Sequence, residues 1–273
     1  MYKEFEQIFM PVKKVPVNDL LPGYKYPTGK THFIVVDTPN GPKIANMCSD
    51  DYGLIPNKEI FMPLAESLDK AGLKFHTQVR HIGHTKFFVD FIFDKFALDL
   101  GTGGKPDLVM PKIRTLNSYD LSIKYGINAG IWREICINGM MAPDQESFKS
   151  LKKLHTTSFS EISLSETIEL ITDFLNEAEL IIEPFEILKD RIFSENKLEE
   201  FVEDVMDMTK FPKKQKEEVL ERIQFEKLAT GRLSGWEVYN GFNFQLNHND
   251  AITMPLHKRQ TLDQELIEFI SYG

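Results

Sequence analysis

Three closely spaced histidines in the first half of the chain could bind a transition metal, because imidazole is a common metal ligand. They are His76, His81 and His84. With the thiolate of Cys48 or the carboxylate of Asp90 they would form a nitrogen, sulfur and oxygen ligand set. Their spacing matches no zinc module, and the segment 81–84 is more typical of a turn between two strands. The sequence therefore predicts neither a metal nor a cofactor.

Asp90, Asp94 and Asp99 carry the carboxylates with which nucleases hold magnesium. Asp90 and Asp94 share one face of a predicted strand, and four strand residues separate their α-carbons by about 13 Å. One ion would then need ligands from other strands. Phosphate-loop, dinucleotide-binding, zinc-protease and serine-hydrolase motifs are all absent from the sequence. We therefore assign no catalytic residue, and a metal-dependent nuclease is kept only as an alternative.

The segment 112–125 predicts a hairpin with a cationic face. Lys112 and Arg114 alternate with an isoleucine, and Lys124 follows a polar connection predicted over 117–121. An antiparallel register would set Arg114 opposite Lys124, and like charges directly opposed in a sheet are destabilising. Two arrangements could offset this repulsion: an acidic neighbour from elsewhere in the fold, or a bound polyanion such as a nucleic-acid backbone.

The elements that surround this hairpin predict an α+β fold. A strand–turn–strand pattern covers 31–49, with the turn at Pro39-Asn40-Gly41. Asn57 is expected to cap a helix that ends at Gly72. Alternating phenylalanines then predict a strand over 86–96 with one buried face. We expect an antiparallel sheet with packed helices in this half.

The second half of the chain is predicted to be mainly helical. Ser163 and Glu166 make a capping box before a repeating apolar pattern, which Pro184 is expected to kink or end near 180–183. Further helices are predicted over 198–209, 213–230 and 234–247. The aromatic residues of the last one are expected to be core. They are Trp236, Tyr239, Phe242 and Phe244.

The distribution of charged residues also differs between the two halves of the chain. The net charge is −9 with a pI near 5.4, but residues 1–155 have 20 Lys and Arg against 17 Asp and Glu, whereas residues 156–273 have 12 against 24. We therefore predict two domains, an α+β core over 1–155 and an acidic helical region over 156–273. The acidic half is either a solvated surface or a site for a basic partner.

The termini and cysteines indicate a cytoplasmic protein without a membrane segment. Acidic residues interrupt the N-terminal region where a signal peptide would be positively charged, and no apolar run approaches spanning length. Cys48 and Cys136 are too few for a disulfide framework. We expect both to be buried thiols, and if a phage encodes the protein, the compartment is the host cytoplasm.

Several segments together resemble the phage/plasmid-like family of unknown function, domain family nine-three-two. These are Tyr52 to Phe75, Thr115 to Gly126, Trp132 to Met140, His155-Thr156 and Gly235 to His248. The strongest motif residues fall on Asn117, Ser118, Tyr119, Asp120, Arg133, Cys136 and Asn138. Leu121 stands where the family pattern has a glycine. The resemblance implies carriage by phages, plasmids or bacteria. The order of helix, three antiparallel strands and an Arg133-bearing segment is also similar in topology to Rad-fifty-two-like single-strand annealing proteins.

We interpret the chain as a phage-type accessory protein that binds single-stranded DNA, with roles in annealing, recombination or replication and with homo-oligomerisation left open. The nucleic-acid-binding residues are predicted to be Lys112, Arg114, Asn117, Ser118, Tyr119, Lys124, Tyr125 and Arg133. Arg133 has an alternative, which is to pair with Asp120 or Glu134 within the fold. The main functional alternative is an adaptor whose acidic helices engage a replication or transcription protein.

Overall fold

The computed structural model describes residues 3–25, 29–101, 106–133, 139–141, 164–249, 251–252, 254 and 256–273. These residues form two compact units. The described part of unit 1 is 3–25, 29–95, 112–129 and 164–174, and that of unit 2 is 96–101, 106–111, 130–133, 139–141 and the residues described from 175 onward. The units are therefore not the halves 1–155 and 156–273, since 96–111 and 130–133 belong with the helical unit.

The fold is α+β, as the sequence predicts. The strands are β1 Val12–Pro16, β2 His32–Thr38, β3 Gly41–Cys48, β4 His76–Ile82, β5 Lys86–Ile92, β6 Leu98–Asp99, β7 Leu108–Ser118, β8 Gly126–Arg133 and β9 Gly139–Met141. The α-helices are α1 Val17–Leu20, α2 Asn57–Lys70, α3 Leu164–Asn176, α4 Ala178–Asp190, α5 Glu195–Thr209, α6 Lys216–Thr230, α7 Gly235–His248 and α8 Leu256–Tyr272. Short 3₁₀ helices cover Lys3–Ile8, Asp94–Phe96 and Lys213–Gln215.

A three-stranded antiparallel sheet of unit 1 has the order β1-β2-β3. The turn between β2 and β3 is the predicted one, and Gly41 has a φ of +98°, a conformation that glycine adopts without a Cβ clash. The apolar residues of β2 are buried, and Phe33 and Val35 pack with Val17. The hairpin prediction is confirmed.

The second sheet has the order β4-β5-β7-β8-β9, with β6 paired to β7. In unit 1, β5 lies between β4 and β7, antiparallel to both. Successive side chains alternate between the two faces. Phe87, Val89 and Phe91 share one face and are fully buried, and Phe91 contacts Phe5 of the N-terminal 3₁₀ helix, which also contacts Phe61 of α2. The opposite face of β5 bears Lys86, Phe88 and Asp90.

Helix α2 forms where its apolar spacing predicts, with a different start. Its buried residues include Ile60, Phe61, Leu64, Ala65 and Leu68. Asn57 is the first helical residue and does not cap the helix, since its side chain instead donates to the carbonyl of Ile8 at 2.8 Å. The end is as predicted, with Gly72 at a φ of +75° just after the helix.

The helices of unit 2 surround one apolar core. Trp236, Tyr239 and Phe242 of α7 are fully buried in it, as predicted, whereas Phe244 is only half-buried and lies against Arg222. Ser234 caps α7, and a reciprocal capping box with Glu237 satisfies its first backbone donors.

The predicted interruption at Pro184 is wrong. The break between α3 and α4 falls at Glu177, and α4 continues through Pro184 to Asp190. A proline removes one intrahelical hydrogen bond and costs about 3 kcal/mol in a helix interior. Phe185 and Leu188, which follow the proline, are fully buried in the core of unit 2, and their burial offsets that loss. Ser163 of the predicted capping box lies outside the described residues.

Candidate functional site

The cations of strand β7 lie opposite an acidic residue of the neighbouring strand, not opposite a second cation. β7 continues to Ser118 and β8 begins at Gly126, so Lys124 lies in the connection and is exposed. The predicted pairing of Arg114 with Lys124 is therefore wrong. Arg114 is instead in register with Asp90 of β5. Of the two compensations that the sequence allowed for the clustered charges, the acidic neighbour is the one in the structure.

Asp90 is the centre of a cluster of three cations. Arg114 binds its carboxylate with two parallel hydrogen bonds, from Nε to Oδ1 at 2.6 Å and from one Nη to Oδ2 at 2.7 Å. Arg80 of β4 donates to Oδ2 at 3.2 Å, and the amine of Lys112 lies 3.7 Å from the same oxygen. We call these four residues the Asp90 cluster. Its net charge is plus two when Lys112 is protonated.

The four side chains of the Asp90 cluster differ in how deeply they are buried. The side chains of Asp90 and Lys112 are only 1% and 3% exposed, whereas those of Arg114 and Arg80 are 26% and 43% exposed. Burial alone would raise the pKa of Asp90, but the hydrogen bond from Arg114 and the charges of Lys112, Arg114 and Arg80 outweigh it, so that the pKa lies below its usual value. Asp90 is thus a carboxylate at neutral pH.

Lys112 has an unusual environment for an amine. Burial lowers its pKa to about 7, the charge of Arg114 lowers it too, and the Asp90 carboxylate only partly opposes this. A distance of 3.7 Å is too long for a hydrogen bond, and the amine has no hydrogen-bond partner among the residues that the structure describes. A buried donor without a partner costs free energy.

The cluster has far more donors than its carboxylate can accept. Two guanidinium groups and one ammonium carry thirteen N–H donors in total. Across the described part of the chain, the hydrogen bonds that they make are the three to Asp90. An anion that entered here would find several cationic donors already in place.

The same sheet face carries an aromatic side chain beside the cluster. Phe88 of β5 is half-buried and lies in register between Arg80 of β4 and Leu116 of β7. Lys86, one step further along β5, is 32% exposed and lies 3.7 Å from Asp120. We call the surface formed by the Asp90 cluster, Lys86 and Phe88 the basic sheet face.

Asn117, Ser118 and Tyr119 were predicted to bind nucleic acid, but all three are fully buried. Asn117 donates to the Ile55 carbonyl and to the side chain of Asn57, and the Tyr119 hydroxyl accepts from the Asn57 backbone N–H at 2.9 Å. Ser118 exchanges hydrogen bonds with the backbone of Ile123. These side chains fix the connection after β7 to the start of α2 and present no surface to a ligand.

The connection itself contains a residue in an unfavourable conformation. Asp120 accepts hydrogen bonds from the Ser122 backbone and side chain, and between them Leu121 has a φ of +63°. A residue with a Cβ pays about 1–2 kcal/mol in this left-handed region, whereas glycine does not. Glycine is thus the residue that this turn favours at position 121.

Leu121→Gly is expected to raise the free energy of unfolding by about 0.5–1 kcal/mol, because relief of the left-handed strain exceeds the greater chain entropy of glycine. Leu121 is 37% exposed, so little packing is lost. Urea unfolding midpoints measure the change. Lys124→Gly in the same connection, where φ is not positive, is the control and should be destabilising. A loss of stability in Leu121→Gly would contradict the proposed strain.

Tyr125 and Arg133 are also buried. Tyr125 is 7% exposed, and burial raises its pKa to about 12. In unit 2, Arg133 binds Asp107 and Glu226, and both carboxylates are buried with it. Of the two partners predicted for Arg133, Asp120 lies near Lys86 and Ser122, and Glu134 lies outside the described residues, as do Cys136 and Asn138. Arg133 is a core ion pair in this fold, not a surface contact for phosphate.

The proposed metal ligands are engaged in other contacts. His76 pairs with Asp94 at 2.9 Å, and Nδ1 of His81 lies 2.7 Å from the Gly83 carbonyl in the predicted turn. Asp99 accepts backbone N–H bonds from Gly101 and Asp107. Within the described ranges, no group of three or more His, Cys, Asp or Glu side chains is arranged to hold a metal ion. Cys48 is a buried free thiol.

Sequence reasoning missed Arg80 as a member of the site. In the structure Ile82 pairs with Lys86, so the turn lies at 83–85 and Arg80 is opposite Phe88. The turn predicted at 81–84 would have set Arg80 opposite Thr85. It also missed Asp107 and Glu226, which lie 26 and 93 residues from Arg133 and have no local signal.

The family model described as "Domain of unknown function (DUF932)" matches residues 45–265. The chain belongs to this family. The DUF932 region therefore includes the whole basic sheet face and most of unit 2. No curated protein and no solved structure matches the chain, so the topological likeness to Rad-fifty-two-like proteins stays a prediction. Of the helices in the described part of this DUF932 protein, none is long and apolar enough to span a membrane.

The acidic helices of unit 2 expose apolar side chains as well. Phe225 is 57% exposed and Leu228 is 83% exposed on α6, which also presents Glu217, Glu218 and Glu221 to solvent. Exposed apolar residues on an acidic helix are compatible with a basic, partly apolar protein partner. The adaptor alternative therefore stays a prediction.

Proposed function

We propose that this protein binds single-stranded nucleic acid through the basic sheet face of unit 1. The observation that carries the proposal is the excess of cationic donors around Asp90, beside a half-buried aromatic residue on the same face. Proteins that bind single strands without sequence preference combine cations that follow the backbone with aromatic rings on which bases stack. Both components are present on three adjacent strands.

The proposal assigns different roles to the residues of this face. Arg80 and Lys86 contact phosphates, because their side chains are the more exposed cations. Arg114 holds Asp90 with one edge of its guanidinium and offers the other edge to the ligand. Phe88 stacks on a base. Of the cations first predicted from the sequence, Arg114 remains a contact for the strand, whereas the side chain of Lys112 is too deeply buried to contact a passing backbone.

The test is binding of fluorescent single- and double-stranded oligonucleotides across a salt series. The test variant is Arg80→Ala/Lys86→Ala, which leaves the Arg114–Asp90 pair intact. We expect the slope of log affinity against log salt to fall by about 1.4, because each phosphate contact to a single strand contributes about 0.7. Lys58→Ala/Lys70→Ala removes the same charge from exposed positions of α2 and should leave the slope nearly unchanged.

Phe88→Leu separates stacking from charge in the same assay. It should weaken single-strand binding by about five- to hundredfold, since a base–aromatic stack contributes about 1–3 kcal/mol, and it should leave the salt slope unchanged. Absence of single-strand binding by the wild type at low salt would reject the function. Equal salt slopes for Arg80→Ala/Lys86→Ala and its control would reject this face as the site.

A further inference from the structure

The depth of Lys112 distinguishes it from the cations that a passing nucleic-acid backbone would contact. Its side chain is 3% exposed, whereas the neighbouring guanidiniums of Arg114 and Arg80 reach the surface. The amine has no hydrogen-bond partner among the described residues, yet it lies beside two other cations. A ligand group that satisfies this amine would also lie beside Arg114 and Arg80, because all three cations surround Asp90.

The net charge of the Asp90 cluster indicates which class of ligand group it would bind. With Lys112 protonated, three cations and one carboxylate leave a net charge of plus two. A phosphodiester within a chain carries one negative charge, whereas a terminal phosphate monoester carries about −1.5 to −2 at pH 7 and offers three acceptor oxygens. The monoester matches both the charge and the number of cationic groups.

We propose that Lys112, Arg114 and Arg80 form a site for a phosphate monoester, such as the terminal phosphate of a nucleic-acid strand. Two oxygens bind the outward edges of the guanidiniums, and the third reaches the Lys112 amine. Asp90 holds the two arginines in position and lowers the repulsion among the three cations in the absence of ligand. The strand-end form of this inference rests on the proposed function, while the phosphate site itself does not.

The experiment compares oligonucleotides of one sequence that end in a 5′-phosphate, a 3′-phosphate or a hydroxyl. We expect the wild type to bind one phosphorylated form about tenfold or more tightly than the hydroxyl form, because hydrogen bonds between charged groups are the strong ones. Lys112→Met removes the amine and keeps the length of the side chain, so it should lose this preference and retain binding of the hydroxyl form. Lys58→Met on α2 is the matched control and should retain the preference.

The pH dependence gives a second readout. The charged groups that face Lys112 are Asp90 of β5, Arg80 of β4 and Arg114 of its own strand. Both arginines stay charged, and the pKa of Asp90 is lowered. The preference for phosphate should rise near pH 6, where a monoester loses its second proton. It should fall at higher pH as the amine, with its pKa of about 7, loses its charge. Lys112→Met should lack the alkaline fall.

Two further ligands distinguish the sources of the phosphate group. Inorganic phosphate and a nucleoside 5′-monophosphate are titrated calorimetrically into the wild type and Lys112→Met. Binding of either by the wild type alone supports the site, and a monophosphate that binds as tightly as the phosphorylated oligonucleotide identifies a free nucleotide as the source.

Equal binding of phosphorylated and hydroxyl-ended strands, together with no calorimetric binding of either small ligand, overturns the inference and leaves the proposed function standing. Retention of the full phosphate preference by Lys112→Met overturns it as well. If hydroxyl-ended strands do not bind but inorganic phosphate does, the proposed function fails and the phosphate site remains.

Discussion

Arg133→Met is expected to lower the free energy of unfolding by about 3–5 kcal/mol, because it leaves the buried Asp107 carboxylate without its cation and removes one of the two cations that bind Glu226. Nε of Arg133 donates to Asp107 Oδ1 at 2.7 Å, and its two Nη groups each lie 3.1 Å from Glu226 Oε2. The side chains of all three residues are at most 2% exposed.

Further contacts around Arg133 contribute to the expected loss of stability. Trp236 donates its Nε1–H to Asp107 at 2.8 Å, and the Arg133 guanidinium lies 5.0 Å from the centre of the Trp236 ring. Methionine would preserve part of the packing on this ring and none of the hydrogen bonds. Arg133→Lys keeps the charge but cannot form the two-pronged contact, so an intermediate loss is expected.

Urea unfolding of the variants measures these differences. Arg222→Met is the control, because Arg222 also binds Glu226 but is 16% exposed and leaves Arg133 in place. Its cost should be about 1 kcal/mol. Adding Asp107→Asn and Glu226→Gln to Arg133→Met should recover part of the loss, since the buried charges are then removed together. A cost for Arg133→Met no larger than that of Arg222→Met would contradict the assignment of Arg133 to a buried network.

Local signals predicted much of the fold. The turn at Pro39-Asn40-Gly41, the apolar spacing of α2 and the pattern that predicts a helix over 234–247 each act over a few residues, and the structure has each element. The burial of the α7 aromatics follows from the same kind of pattern. Where a nearby residue competes, the prediction shifts: Asn57 binds the Ile8 carbonyl and leaves the capping position.

The candidate site was predicted less well because its partners are distant in sequence. Asp90 meets Arg114 across a strand pair 24 residues apart, and Arg133 meets Glu226 over 93 residues. Alternation fixed the face that Lys112 and Arg114 share, but nothing local shows which neighbouring strand brings the acid. The motif residues Asn117 to Tyr119 have polar side chains typical of ligand contacts, and only their burial assigns them to the turn.

At Pro184 and Leu121 the local backbone preference is unfavourable, as expected, but it does not determine the observed structure. Proline weakens α4, yet the burial of Phe185 and Leu188 keeps the helix intact. Leucine is unfavourable at a φ of +63°, yet the hydrogen bonds of Asp120 hold the turn around it. In both places contacts made by neighbouring residues outweigh a cost of a few kcal/mol or less.

Lys112→Met is expected to raise the free energy of unfolding at pH 7 by about 1–4 kcal/mol, because it removes the cost of burying a third cation while Asp90 keeps its two hydrogen bonds from Arg114. Folding lowers the pKa of Lys112 to about 7, whereas a lysine in the unfolded chain has a pKa of about 10.4. Between these values the unfolded state binds more protons than the folded state. The stability of the wild type therefore increases with pH across this range.

Methionine cannot take up a proton, so the variant should lack this increase. Its advantage should be constant below about pH 7 and should shrink steadily toward about pH 10, as the wild-type amine becomes neutral in both states. Urea unfolding of both proteins at intervals from pH 6 to pH 10 tests this, with the exposed Lys58→Met expected to stay within about 0.5 kcal/mol of the wild type. Parallel stability curves, with Lys112→Met the less stable protein throughout, would mean that the amine is fully charged and stabilised by Asp90. A stabilised variant that has also lost phosphate binding would show that Lys112 is retained at a cost in stability because a ligand requires it.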